Sequence, residues 1–495
     1  MTSSKEYSAS APGLSRRRQL DAMWRGRGNR AFAILLVVAV LLGAAIGGLV
    51  ASPLVLLAIA GLIGVLLLVQ TPALGLVALP LLAIFVPFAV KASADVEINI
   101  AVIVIPAIVV VWVLHAMRER RFEIVRSEVN LPALAFLGSA VLSWILGNVY
   151  WDVFVPRPHN IILVQFGQFA LYAFSFLAMW VAASLLVEQR WLQWMTYSYI
   201  LFGGIAALLF VPAFLNEIAE AMVAPGAAYS PYWVWLTAMA ASQLLFNRRI
   251  GPWGKGGLIV ILATLLYLIL IKTGLGWVSG FLPMTVVITA LLVMRYPRRA
   301  IPIFAAMTVV VLANRAALLQ SLGLDREIQD SGGGRLGHWT IVWEFARRHP
   351  VFGLGLAAYR HYTWSRPDLV AYNLYRGASV STHNNYYDIF AFMGVVGLGT
   401  FVWFIVAYAR MAWRVVQRIR QRWDFDAAYA SGVFAGFLGM LVSGMLGDWF
   451  LPFVYNIGFV GFRASVFGWI FMGGLMAVAT RLVRETGAGE IQPSS

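Results

Sequence analysis

The sequence predicts an all-α polytopic membrane protein with about fourteen transmembrane helices and one large outward loop carrying short helices. Three observations point there. Of 495 residues, 61% are hydrophobic and 12% charged, with a mean hydropathy of +0.79. A soluble domain carries about 25% charged residues, so this chain cannot cover one water-facing globule. Its apolar residues fall in runs of about 20, the length of helix that crosses a bilayer. Its 37 basic residues sort onto alternate loops, as positive-inside sorting requires.

Taken in order, residues 1–30 are polar and basic, contain no cleavable signal pattern, and form an N-terminal tail. Residues 31–320 hold spans one to eleven, at 31–50, 53–70, 72–90, 99–117, 131–150, 161–187, 191–213, 231–247, 257–273, 277–294 and 300–319. Ala51-Ser52-Pro53 and Gln70-Thr71-Pro72 alone separate the first three. Residues 321–382 form the large loop, 383–480 hold the last three spans (384–408, 427–446, 456–480), and 481–495 form a C-terminal tail.

With the N-terminus inside, the cytoplasmic pieces include Arg16-Arg17-Arg18, Arg118 to Arg126, Arg190, Arg248-Arg249, Arg295 to Arg299, Arg410 to Arg422, Arg481 and Arg484. These pieces hold 25 of the 37 basic residues, whereas the short outward loops hold only Lys91 and Arg157, so both termini are expected in the cytoplasm and the protein in the inner membrane. Net charge +15 therefore calls for no nucleic-acid partner. The absence of Cys removes disulfides, thiolate metal sites and cysteine nucleophiles. No internal repeat of the transporter kind is found.

The outward loop breaks the charge pattern. Residues 321–382 contain seven Arg, no Lys, and His338, His349 and His361, interleaved with Trp339, Trp343, Tyr359, Tyr362, Trp364, Tyr372 and Tyr375. That composition suits a folded element on the outer membrane surface. Within it, Gly332-Gly333-Gly334-Arg335 opens an expected helix over 336–348. Successive Gly can aim backbone N–H groups at an anion, and Arg335 offers a planar fork for phosphate oxygens. A hinge with a solvated Arg fits the same residues. Trp339, Val342, Trp343 and Ala346 follow helical spacing and predict an interfacial face. His338 lies three residues beyond Arg335 and is a second candidate at that mouth, while His349 before Pro350 reads as a helix cap.

A second cluster, Ser381-Thr382-His383-Asn384-Asn385-Tyr386-Tyr387-Asp388, enters span twelve, where such groups must face protein or a wet cavity. His383 is a candidate general base, although a satisfied boundary His fits composition equally. Gln165, Gln168, Lys272, Arg315, Asp448 and Arg463 also lie at membrane depth, with Lys272 and Arg315 near the outer face. Asp448, in Gly447-Asp448-Trp449, reads either as an orienting carboxylate or as a loop residue in water. No metal site is expected: the His spacing is irregular and no His-Glu-x-x-His or Asp-x-Asp pair stands near a span end.

Three pieces together resemble the bacterial O-antigen ligase and polymerase family of polysaccharide-assembling membrane glycosyltransferases. Gly334-Arg335-Leu336-Gly337-His338-Trp339, followed by His349-Pro350-Val351-Phe352-Gly353-Leu354-Gly355, is similar to the family's Gly-Arg-x-x-x-Trp and His-Pro-x-x-Gly-x-Gly run. Thr382-His383-Asn384-Asn385-Tyr386, with Gly394 eleven positions after His383, looks like its His-Asn segment, and Leu446-Gly447-Asp448-Trp449 its Asp-containing segment.

The resemblance implies metal-independent, cofactor-free transfer of a glycan from an undecaprenyl-diphosphate carrier to a glycan or lipid-core acceptor. In that reading His383 is the base, Arg335 holds the diphosphate, and His338, Lys272, Asn384 and Asp448 contact substrate. Lys272 stands where the family often has Ser-Arg-Gly, so the charge is kept and the bidentate geometry is not. Direct attack on the anomeric carbon would invert its configuration. The residues alone also fit a flippase of lipid-linked saccharide or a scaffold in an export complex, and they do not separate ligase, polymerase and protein O-glycosyltransferase.

Overall fold

The computed structural model describes residues 61, 64–91, 97–118, 120, 125–272, 277–313, 333–365 and 382–487. The chain divides into two compact units, residues 1–72 and 73–495. The expected tails over 1–30 and 488–495, the span over 31–50, most of that over 53–70, and Arg315 lie outside the described residues.

Fifteen helices and one hairpin are described. They are α1 (Pro72–Phe85), β1 (Ala89–Lys91), β2 (Glu97–Asn99), α2 (Ile100–Arg118), α3 (Asn130–Val149), α4 (Ile161–Leu185), α5 (Gln189–Leu209), α6 (Asn216–Met222), α7 (Ser230–Phe246), α8 (Pro252–Tyr267) and α9 (Val278–Arg295). There follow α10 (Pro297–Ala313), α11 (Gly333–Ala346), α12 (Tyr359–Trp364), α13 (Asn385–Ile419), α14 (Phe425–Leu446) and α15 (Gly458–Gly487). A π-helical turn, Leu268–Lys272, extends α8. The strands pair antiparallel, with Val90 opposite Ile98. Among the described residues, nine helices are long and apolar enough to cross a membrane.

Periodic apolar runs form these helices, and polar side chains fix their ends. Asn99 caps α2 by accepting from the backbone of Ala101 (3.0 Å) and Val102 (3.3 Å) while donating to the Phe459 carbonyl. Arg463, on α15, is 1% exposed and donates to the carbonyls of Val86 (2.7 Å) and Phe88 beyond the end of α1. A buried cation thereby satisfies carbonyls that a terminating helix leaves open. The run expected over 72–90 stops being helical at Phe85, where Pro87 disfavours the helical conformation at Val86. In α7 every residue except Leu244 and Leu245 is buried, as expected of a helix apolar on all faces. At the core, Trp469 packs against Phe176 (4.7 Å), Phe450 (5.1 Å) and Phe404 (5.7 Å).

The basic residues gather at one end of the bundle. Arg248 and Arg295 lie over the Trp423 ring at 4.6 and 4.1 Å, Arg414 pairs with Glu128, and Arg422 pairs with Glu485 at 2.9 Å. Most of these pairs are exposed, so each contributes at most about 1 kcal/mol and their role is to mark this end rather than to hold it. At the opposite end lie α11, α12, the start of α13 and the α14–α15 loop.

Candidate functional site

The two motif-bearing segments meet. Helix α11 lies along the first turns of α13: Trp339 stacks on Tyr387 (centroids 4.9 Å, 12° between planes) and Trp343 on Phe390 (5.6 Å, 21°). Trp339 also donates its indole N–H to the Thr382 carbonyl at 3.0 Å. Within the expected stripe Val342 and Ala346 are buried, whereas Trp343, though stacked on Phe390, remains 50% exposed. The helix begins at Gly333 rather than 336, so Arg335 and His338 fall in its first turns, one turn and one residue before Trp339. Their side chains, like residues 330–332 of the glycine run, lie outside the described residues.

His383 precedes α13 in a left-handed backbone conformation, φ 51°, and is half-buried. A non-glycine residue there stores on the order of 1–3 kcal/mol, held by what surrounds it. The flanking residues supply that hold. The Thr382 hydroxyl lies 2.7 Å from Asp388 Oδ1 and 3.0 Å from the Asn384 carbonyl, and the Thr382 N–H donates to the same carboxylate oxygen at 3.2 Å. Tyr359 of α12 donates to it at 3.3 Å.

On the other side, Asn384 caps α13, accepting from the N–H groups of Tyr386 (3.0 Å) and Tyr387 (3.2 Å) and donating to the Met445 carbonyl (3.2 Å). Asn385 donates to Leu451 O (2.6 Å) and accepts from the N–H groups of Phe450 and Leu451. These bonds lock the turn that presents His383.

The His-Pro segment and the Gly394 spacing form one device. At Gly394 α13 leaves helical geometry (φ 62°, ψ −159°), which would strand backbone groups in an apolar setting at several kcal/mol each. Residues 350–355 take them up. Leu354 and Gly355 donate to the carbonyls of Ala391 (2.9 Å) and Phe392 (3.0 Å), and Val395 and Val396 donate to those of Pro350 (2.8 Å) and Val351 (3.2 Å). The chains approach so closely that a Cβ on Gly394 would collide with the Val351 backbone, and one on Gly353 (φ 72°) with that of Phe392.

The α14–α15 loop closes the site from beneath. Asp448, 0% exposed, accepts from the Phe453 N–H (2.9 Å) and Asn456 Nδ2 (2.5 Å). Burial pushes its carboxyl up to about 6, with these hydrogen bonds pulling the other way. Gln168 of α4 donates to Pro452 O (3.1 Å) and accepts from the Val454 N–H (2.8 Å). Burial also lowers the pKa of His349, aided by Arg348 and opposed by Asp152.

The expected site residues thus divide. Asn384 and Asp448, expected to touch substrate, are only 6% and 0% exposed, and their side chains hydrogen-bond the start of α13 and the α14–α15 loop. Lys272 donates to the Phe210 carbonyl and to Asn216 Oδ1 (2.6 Å), bracing the start of α6. Sequence reasoning did not assign Asp388, Thr382 or Tyr359 a role: Tyr359 reaches Asp388 from another helix, and the Thr382–Asp388 contact, only six residues apart, depends on the turn at His383 rather than on helical spacing. Among the described residues no group of three or more His, Asp or Glu is placed to hold a metal ion.

Fold and site define a polytopic helical protein with a histidine turn clamped against a loop helix at one end of the bundle. The profile of the family described as O-antigen ligase matches residues 257–402, from within α8 to eight residues past the break in α13. That stretch, which contains both Arg335 and His383, is similar to the O-antigen ligase family. No curated protein matches the chain.

Proposed function

We propose that the chain is a metal-independent, inverting glycosyltransferase of cell-surface polysaccharide assembly. It moves a glycan from an undecaprenyl-diphosphate carrier to an acceptor hydroxyl outside the inner membrane, across which it passes about fourteen times with both termini cytoplasmic. The observation that supports this most is the His383 turn, held by Thr382, Asp388 and Trp339 within the stretch that matches the O-antigen ligase family.

In the reaction His383 takes the proton of the acceptor hydroxyl as its oxygen bonds to the anomeric carbon. The bond from that carbon to the phosphate oxygen breaks, and the diphosphate leaves with the electron pair. Diphosphate is a good leaving group, so the protein has two tasks, to activate the hydroxyl and to neutralise growing negative charge. Arg335, at the start of α11, meets the diphosphate, with His338 beside it and Lys272 adding positive charge at the same end. Asn384 and Asp448 act by position. Asn384 holds the turn that carries His383, and Asp448 holds the loop beneath it.

The polysaccharide of a deletion strain tests this reading. Uncapped lipid-core acceptor with normal polymer indicates a ligase, and single repeat units on the acceptor indicate a polymerase. Lipid-linked precursor held on the cytoplasmic leaflet would overturn transfer in favour of a flippase.

A further inference from the structure

Beside the His383 turn, the loop joining α3 to α4 builds a rigid surface that the transfer chemistry does not use. Trp151 donates its indole N–H to Val155 O (3.0 Å), Asp152 Oδ1 accepts from the Phe154 N–H (2.9 Å), and the Asp152 N–H donates to the Tyr362 hydroxyl (3.2 Å). Asn148 donates to Gln165 Oε1 (2.7 Å) and accepts from Arg157 Nη2 (2.6 Å), which sets the guanidinium 5.7 Å from the centre of the Trp151 ring. Asn148, Trp151, Asp152, Phe154, Val155 and Arg157 line an open groove of about 680 Å³.

A second indole stands close by. Trp364, at the end of α12, is 50% exposed, with Arg360 at 4.5 Å from its ring and 4.2 Å from that of Tyr455. The His361 ring lies 6.2 Å from Trp151 and 5.8 Å from Trp364, so the two indoles flank one imidazole.

We infer that the groove carrying Trp151, Asp152 and Arg157, together with the exposed Trp364, is a saccharide-binding subsite. A pyranose has an apolar C–H face and a rim of hydroxyls. It is matched by pinned indole rings beside a carboxylate and a guanidinium, which recognise hydroxyls as acceptor and donor. The polar pair argues against other ligands. Asp152 opposes a diphosphate, and an indole anchored only at a lipid interface needs no hydrogen-bonded Asp and Arg beside it.

Helix α12 joins this groove to the chemistry, since Tyr359 reaches Asp388 while Tyr362, one turn later, reaches Asp152. The inference takes the source of the saccharide, donor glycan or acceptor glycan, from the proposed transfer.

The test is calorimetric titration of the full chain in detergent with two probes, the oligosaccharide released from the strain's lipid carrier and the oligosaccharide of its acceptor. Trp364→Ala and Arg157→Ala should each weaken binding of at least one probe more than tenfold, Trp364→Tyr should restore most of it, and Gly399→Ala, where nothing lies within 4 Å of the added Cβ, should bind as wild type. The affected probe assigns the subsite to donor or acceptor. Affinities for both probes within twofold of wild type in Trp364→Ala and Arg157→Ala, or no binding of either probe by wild type, would overturn the inference. Melting temperatures near wild type establish that the variants are folded. Full transfer by His383→Ala with Trp364-dependent binding would remove the transfer reading and leave the subsite standing.

Discussion

Trp339 donates its indole N–H to the carbonyl of Thr382, 3.0 Å away and one residue before His383. One hydrogen bond thus ties the helix that begins with Gly333-Gly334-Arg335 to the turn that presents the imidazole. Trp339→Phe keeps a ring to stack on Tyr387 and loses the donor. A single hydrogen bond contributes about 1 kcal/mol, so glycan transfer should fall roughly fivefold with little change in membrane level. Quantitative gel analysis of surface polysaccharide beside immunoblots of membrane fractions measures both.

The contact between Thr382 and Asp388 should matter more for turnover than for folding. Thr382→Val keeps the side-chain shape and loses the hydroxyl that reaches the carboxylate at 2.7 Å. Loss of one hydrogen bond corresponds to about 0.5–1.5 kcal/mol, or a fall in transfer of roughly 2- to 13-fold. A rate measured with purified lipid-linked donor checks it; an unchanged rate would mean that the turn holds its shape without Asp388.

Gly394 and Gly399 lie on the same helix and should respond oppositely to alanine. Gly394→Ala forces a Cβ against Val351 at positive φ and should leave little folded protein in the membrane. At Gly399 nothing lies within 4 Å of the added Cβ, so Gly399→Ala should be neutral or stabilise by up to about 1 kcal/mol. Thermal unfolding in detergent distinguishes the pair.

Most of the helix positions are legible in the sequence, because an apolar run must be as long as the bilayer is thick. Asn130–Val149 and Phe425–Leu446 fall within two residues of the expected 131–150 and 427–446. Helix α13 runs on to Ile419 rather than 408, since Arg410, Arg414 and Arg418 continue a helix beyond the apolar stretch, where hydropathy is blind. His383 and the Gly394 spacing stand out as a motif. The break at Gly394 could not be read there, because the backbone groups that repair it come from residues 350–355. The contact of Asp388 with Tyr359, on another helix, is hidden for the same reason.

Asp448 carries a pH dependence of definite sign. Its folded pKa of about 6 lies above the ordinary carboxylate value, so the folded state binds the proton more tightly than the unfolded chain. The α14–α15 loop is therefore most stable below pH 4 with respect to this group, and it loses that contribution as pH rises through about 6. Asp448→Asn, which mimics the neutral acid, should flatten the fall in melting temperature between about pH 4 and 6. An equal fall in both proteins would assign it elsewhere.

The central claim is that His383 removes a proton from the acceptor. Its most direct test is the rate of glycan transfer by purified His383→Ala protein, supplied with lipid-linked donor and acceptor, against wild type. The account predicts a loss of at least about 100-fold, the lower range for a general base, with the protein still folded and monodisperse. A rate within a few-fold of wild type would contradict it.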